Sequence, residues 1–170
     1  MSKKDTEDID VFISEPDEEL DEDWTKVADW KKNVVKFVPP IDHGIVIKVY
    51  DGDTITIASK LPYKKSPIYS FSVRLNGLDC PEIKGKTDKE KQCAQIAKKT
   101  LSDLVLDKTV TLKNVSLEKY GRILADVYIN ETHVNKYMID NRLAVSYDGG
   151  TKVSPNDWME YNLNGKVFHK

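Results

Sequence analysis

Three short segments of this 170-residue chain hold most of the residue types that could do chemistry. Asp51-Gly52-Asp53-Thr54 sits at a strand junction and sets two carboxylates one residue apart. Arg74 ends an apolar run and is followed by Asp79-Cys80-Pro81-Glu82. Lys119-Tyr120-Gly121-Arg122 precedes a further β-branched run. Taken singly, the first reads as ordinary hairpin chemistry, since Asp-Gly is a favoured turn pair. The third reads as a basic turn with a glycine at positive φ. The second is harder to dismiss, because Pro81 fixes its own φ and biases Cys80 towards extended geometry, holding Asp79 and Glu82 in a defined relation.

Phosphodiester hydrolysis needs all three kinds of group. The phosphate is anionic, so attack by hydroxide requires that growing charge be neutralised. Aspartates hold a hard divalent cation through oxygen ligands, and such a cation polarises a phosphoryl oxygen and lowers the pKa of a bound water. A further carboxylate accepts the proton of the water. Arginine adds planar paired donors and a charge that does not titrate near neutrality.

The elements that must position these groups follow from periodicity. Residues 44–50 alternate and are rich in β-branched types, which predicts a strand with Ile45, Ile47 and Val49 on one side. Asp51-Gly52 turns the chain into a second strand over 54–58, with Ile55 and Ile57 on one face. A polar loop with two prolines spans 59–67, and a third strand runs from Ile68 to Leu75 with Phe71, Val73 and Leu75 together. Cys93, Ile96, Ala97, Thr100, Leu101 and Leu104 recur at helical spacing and predict about five amphipathic turns. Two more strands, 110–115 and 123–129, precede a second helix marked by Val134, Met138, Ile139 and Leu143. The order β-β-β-α-β-β-α predicts an α+β, mainly β fold: a five-stranded OB-type barrel with two to three helices. The compact domain is expected over 41–170, with 1–40 an acidic tail and linker whose apolar positions between Trp24 and Val38 fall partly at helical spacing, stopped by Pro39-Pro40.

Charge is divided along the chain. Residues 1–23 carry eleven of the 28 acidic residues against two lysines, a balance of −9, while the remainder carries 24 basic and 17 acidic residues, a balance of +7. The first stretch is expected to be disordered, with Val11-Phe12-Ile13 as a partner-docking motif or a chance cluster. The cationic body suits an anionic polymer. No apolar run is long enough for a membrane span, and no secretion signal is visible, so an intracellular monomer with no membrane partner is expected. Cys80 and Cys93 form neither a disulfide framework nor a zinc pattern. Cys93 falls on an apolar helix face, and Cys80 is the thiol to watch. His43 and His169 are expected to face solvent, and His133 has no evident partner.

From about Gly44 to Tyr147 the chain resembles the staphylococcal nuclease family. The resemblance is an ordered set: VIKVYDGDTITIA, VRLNGLDCPE, an amphipathic helix, EKYGRILADVYI and VNKYMIDNRLAV. It implies that Asp53 and Asp79 are metal ligands together with the backbone carbonyl of Cys80, where the family usually has threonine or alanine. It implies that Asp51 shapes the site from behind the ligands, and that Glu82 is the general base or orients the attacking water. Arg74 and Arg122 resemble the phosphate clamps, and Lys119, Tyr120 and Tyr147 resemble nucleotide-contacting positions. The implied activity is calcium-dependent cleavage of DNA and RNA with little sequence preference, leaving 3′-phosphate ends. The loop with Tyr63, Lys64 and Lys65 is longer than in the secreted bacterial enzymes, and the C-terminal segment from Ser154 resembles their last helix only loosely.

Two other classes compete. Related domains that have lost acidic and arginine residues serve as catalytically weak nucleic-acid or protein binding modules, whereas Asp53, Arg74, Asp79, Glu82 and Arg122 are all present here. A plain single-strand binder would present stacking aromatics on the barrel face. Tyr69, Phe71 and Tyr128 alternate as core residues would, and that reading leaves the paired carboxylates without a purpose.

Overall fold

The structure is a computed structural model and describes residues 30–164. The acidic stretch 1–23 with Val11-Phe12-Ile13, and His169, lie outside the described residues. The chain divides between Lys36 and Phe37. In the first unit the described part holds one short helix, α1 (Trp30–Asn33).

In the second unit, five strands make the barrel: β1 (His43–Val49), β2 (Thr54–Lys60), β3 (Ile68–Leu75), β5 (Thr109–Leu117) and β6 (Ile123–Ile129). Their order is β3-β2-β1-β5-β6, antiparallel throughout. A parallel pairing of β3 with β6, at Val73–Ile123, Arg74–Leu124 and Leu75–Ala125, closes it. The expected five-stranded barrel is therefore present. Val46, Ile55, Ile57, Val73, Leu75 and Val127 fill it and are fully buried. Each contributes roughly 1.5–3 kcal/mol relative to an exposed side chain.

The facing of β1 was read wrongly. Ile45 and Ile47 are each 50% exposed, while Val46 and Val49 point inward. The pairing of β1 with β2 slips between Val46 and Lys48, so Ile47 is an extra residue in the ladder. Such a bulge shifts the inside-outside phase by one, and simple alternation misses it.

Helix α2 (Asp88–Val105) starts at Thr87, whose side chain accepts from the Glu90 amide, the serine/threonine-x-x-glutamate start signal. It buries Cys93, Ala94, Ala97, Leu101 and Val105, whereas Ile96, expected on the same face, is largely exposed. A two-residue strand β7 (Thr132–His133) leads into α3 (Val134–Asp140). His133 does find a partner: its ring stacks on Tyr128 at 4.5 Å between centroids. Asn135 on α3 is buried with its amide fully used. It accepts from the Val127 amide and donates to the carbonyls of Asn76 and Ala125, tying the end of β3 to β6.

Besides β7, two further small strands went unforeseen. β4 (Leu78–Asp79) pairs antiparallel with β8 (Val145–Ser146), matching Asp79 with Val145. Beyond them α4 (Trp158–Asn164) buries Trp158 and Tyr161 in a second small core with Cys93 and Val145. Among the described residues no helix is long and apolar enough to cross a membrane.

Candidate active site

The turn between β1 and β2 is pressed against α2 and the segment after β4. A Cβ on Gly52 would lie 2.8 Å from both the Ala97 Cβ and the Cys80 Sγ, so this close approach admits only glycine. The turn brings Asp53 inward. Its amide donates to Asp51 Oδ1 at 3.1 Å, the Thr54 hydroxyl donates to Asp53 Oδ1 at 2.7 Å, and the Asp53 carbonyl accepts from the Leu75 amide.

Arg74, at the end of β3, is the hub. Its guanidinium joins Asp53 at 2.5 Å and Asp79 at 3.1 Å, and also donates to the Leu78 carbonyl. Both carboxylates are buried, at 4% and 3% exposure. Burial, with the Asp51 charge adding to it, pushes the Asp53 carboxyl up to about 6 against the pull of Arg74.

A second cation reaches the same carboxylates from Lys152, in the loop between β8 and α4. Its ammonium lies 2.8 Å from Asp79 Oδ1 and 3.2 Å from Glu82 Oε1. Partial burial alone would lower its pKa, but Asp79 and Glu82 hold it above the ordinary lysine value. Sequence reasoning missed Lys152, because a lysine in a glycine- and proline-bearing loop carries no signal of where it lands. Among the described residues, no three Asp, Glu, His or Cys side chains converge as a ready-made metal site. In this cluster Arg74 and Lys152 stand between the carboxylates.

Arg122 is held apart from this cluster. Glu118 accepts from its Nε at 3.2 Å and also from the backbone amides of Tyr120 and Arg122. Gly121, at φ +84°, allows that tight return. Burial would raise the Glu118 carboxyl, yet the Arg122 hydrogen bonds win and hold it below its usual value. Glu118 was also missed as a positioning group, although its place three residues ahead of Gly121 could have suggested a turn-closing carboxylate.

An open cleft of about 520 Å³ runs beside the hub, lined by Arg74, Leu78, Glu118, Lys119, Leu124 and Tyr147 among others. Three expected residues, Arg74, Lys119 and Tyr147, thus share one cleft. Tyr120 and Arg122 are not among its lining residues. Tyr120 projects into solvent with Lys119 Nζ 4.8 Å from its ring centroid. Glu82 is exposed and meets Asp79 only through Lys152.

Residues 72–162, more than half of the chain, match the family model described as staphylococcal nuclease homologue. The chain belongs to the staphylococcal nuclease family. That match holds Arg74, Asp79, Glu82, Arg122 and Lys152, while Asp51 and Asp53 lie outside it, ahead of β2. Among relatives, an "uncharacterized endonuclease" of Haemophilus influenzae is 37% identical over 102 residues, covering 60% of this chain and 51% of its own. An "uncharacterized endonuclease" of Escherichia coli is 31% identical over 107 residues, 62% of this chain and 61% of its own. A "probable staphylococcal-like nuclease" of Oryza sativa subsp. japonica is 30% identical over 71 residues, 42% of this chain and 18% of its own. The alignments with the two bacterial proteins thus span between half and two thirds of those proteins' length.

Cys80, at the position where the resemblance implies threonine or alanine, is shielded from solvent. Its side chain is 4% exposed, packed against Gly52, and burial with the surrounding aspartates pushes its pKa well above the thiol range. That corrects the expectation that Cys80 was the thiol to watch. Cys93 is buried as expected, with its sulfur 4.0 Å from that of Met159.

Proposed function

We propose that this protein is a calcium-dependent nuclease that hydrolyses phosphodiester bonds of DNA or RNA with little sequence specificity and leaves 3′-phosphate ends. The observation that carries the reading is the union of Asp53, Arg74 and Asp79 in one buried cluster at the wall of a cleft lined by Lys119 and Tyr147.

The donors suit a hard cation. They are all oxygens, and four carboxylates (Asp51, Asp53, Asp79, Glu82) crowd around only two cationic side chains, Arg74 and Lys152. Burial, and after it the charge of Asp51, holds the Asp53 proton to about 6. Asp53, Asp79 and the Cys80 carbonyl would hold calcium, with Asp51 behind them. Bound there, calcium would supply Lewis-acid polarisation of the phosphate and a more acidic water. Glu82 would accept a proton from the attacking water, or orient it. Arg74 and Arg122 neutralise the phosphate oxygens as charge grows. Lys119, Tyr120 and Tyr147 flank the nucleotide.

Digestion of plasmid DNA and of RNA with calcium, with magnesium and with chelator tests the reading. Cleavage in calcium that stops on chelation is expected, and Glu82→Gln should lower turnover by orders of magnitude while nucleotide affinity persists. Equal cleavage by metal-free protein in excess chelator overturns the metal mechanism. A second reading, a catalytically weak binding module, draws on one fact: Arg74 and Arg122 are both engaged by this chain's own carboxylates. Binding of nucleic acid without cleavage in any metal would favour it.

A further inference from the structure

Lys152 is the unexpected member of the site. The sequence gives no reason for a lysine from the C-terminal loop to meet Asp79 and Glu82, yet its ammonium bridges them at 2.8 and 3.2 Å. Its approach is built rather than incidental. β8 lies alongside β4, the Tyr147 amide donates to the Gly77 carbonyl, and the Tyr147 hydroxyl donates to the Gly150 carbonyl. On the far side, Asp157 accepts from the amides of Met159 and Glu160 and pairs with Lys89 on α2. The loop is therefore pinned at both ends, with Lys152 between the pins.

The two cations of the site differ in how firmly they are held. The Arg74 side chain is 14% exposed and is shared between two buried carboxylates. The Lys152 side chain is 47% exposed, hangs from a flexible four-carbon stem, and one of its two partners is itself exposed. Arg74 belongs to the framework and Lys152 is the cation that can leave.

We propose that Lys152 is a resident counter-cation, which a divalent ion must displace from Asp79 and Glu82 in order to bind. This rests on the metal reading given above and goes beyond it by assigning a competitor within the chain. Arg74 and Lys152 already share Asp79 Oδ1, and a dication brought to that oxygen would repel both, so the more exposed and less firmly held Lys152 is the one that gives way. Apparent metal affinity is then the intrinsic affinity reduced by the fraction of molecules in which Lys152 already occupies the carboxylates. In metal-free protein the same contact offsets part of the charge of Asp79 and Glu82.

Titration calorimetry of calcium into the full chain tests this, using the wild type, Lys152→Met, Lys152→Arg and Asp79→Asn. Lys152→Met keeps the stem and removes the charge, and it should bind calcium about three- to tenfold more tightly, the range expected for losing a half-exposed ion-pair competitor. Lys152→Arg should stay near the wild type. Thermal melts supply a readout independent of turnover: Lys152→Met should melt lower than wild type in chelator and gain more from calcium. A merely structural lysine would lower both melts by the same amount. Unchanged or weaker calcium affinity in Lys152→Met, with binding abolished in Asp79→Asn, overturns this inference alone. Absence of calcium binding in wild type and Lys152→Met alike overturns the metal reading together with it.

Discussion

Arg74 holds together the two buried carboxylates of the site. Its guanidinium is the common partner of the buried Asp53 and Asp79. Arg74→Met leaves two buried carboxylates short of a cation, a loss of about 3–5 kcal/mol in stability by the usual cost of breaking a buried pair from one side. Urea denaturation in chelator should show that loss, and a change under 1 kcal/mol, in the range of a surface ion pair, would mean that Lys152 alone suffices. Glu118 provides the pH counterpart. Its folded carboxyl titrates below the ordinary value of 4.5, so its contribution is complete above 4.5 and is lost as pH falls through the lower folded value. Glu118→Gln should therefore be less stable than wild type at pH 7, with the gap closing as the medium is acidified below 4.5. A gap independent of pH would show that the carboxylate charge is not what holds Arg122.

At the scale of elements, the turn between β1 and β2 works only because α2 leaves room for a glycine. Gly52→Ala would set a methyl 2.8 Å from the Ala97 Cβ and the Cys80 Sγ. Forced overpacking of this kind costs about 1–3 kcal/mol. Urea melts should show it, and calcium affinity should fall as Asp51 and Asp53 are moved outward. Wild-type stability and affinity would mean that the turn relaxes freely. Elements with strong periodicity were legible in the sequence: β2 and β3 by alternation, and α2 by its 3.6-residue stripe. β4, β8 and β7 were not, because two-residue strands exist only through their tertiary partners and leave no local pattern. The bulge at Ile47 was hidden for the same reason, since an extra residue in a ladder is decided by the strand opposite. Asp53, Arg74 and Asp79 were legible as a group because motif order survives whatever the loops do. Lys152 was illegible because its meeting with Asp79 depends on where β8 docks.

The whole molecule carries its charge unevenly, −9 over residues 1–23 and +7 over the rest. A chain beginning at Trp24 should bind single-stranded DNA more tightly than the full chain at low ionic strength, with the difference shrinking as salt shortens the range of the field. Identical affinities at low salt would show that the acidic stretch does not compete with nucleic acid. Filter binding or fluorescence anisotropy at two ionic strengths decides it.

The pairing of Asp79 with Val145 also sets a timetable. A chain leaves the ribosome from its N-terminus, so Asp53, Arg74 and Asp79 emerge early and β8 emerges late. Barrel closure already waits for β6, and the strand that holds Asp79 waits longer still. A chain made only as far as β6 therefore carries Asp53, Arg74 and Asp79 without the strand that pairs with Asp79. Late docking of β8 makes Lys152 the last cation to reach the cluster.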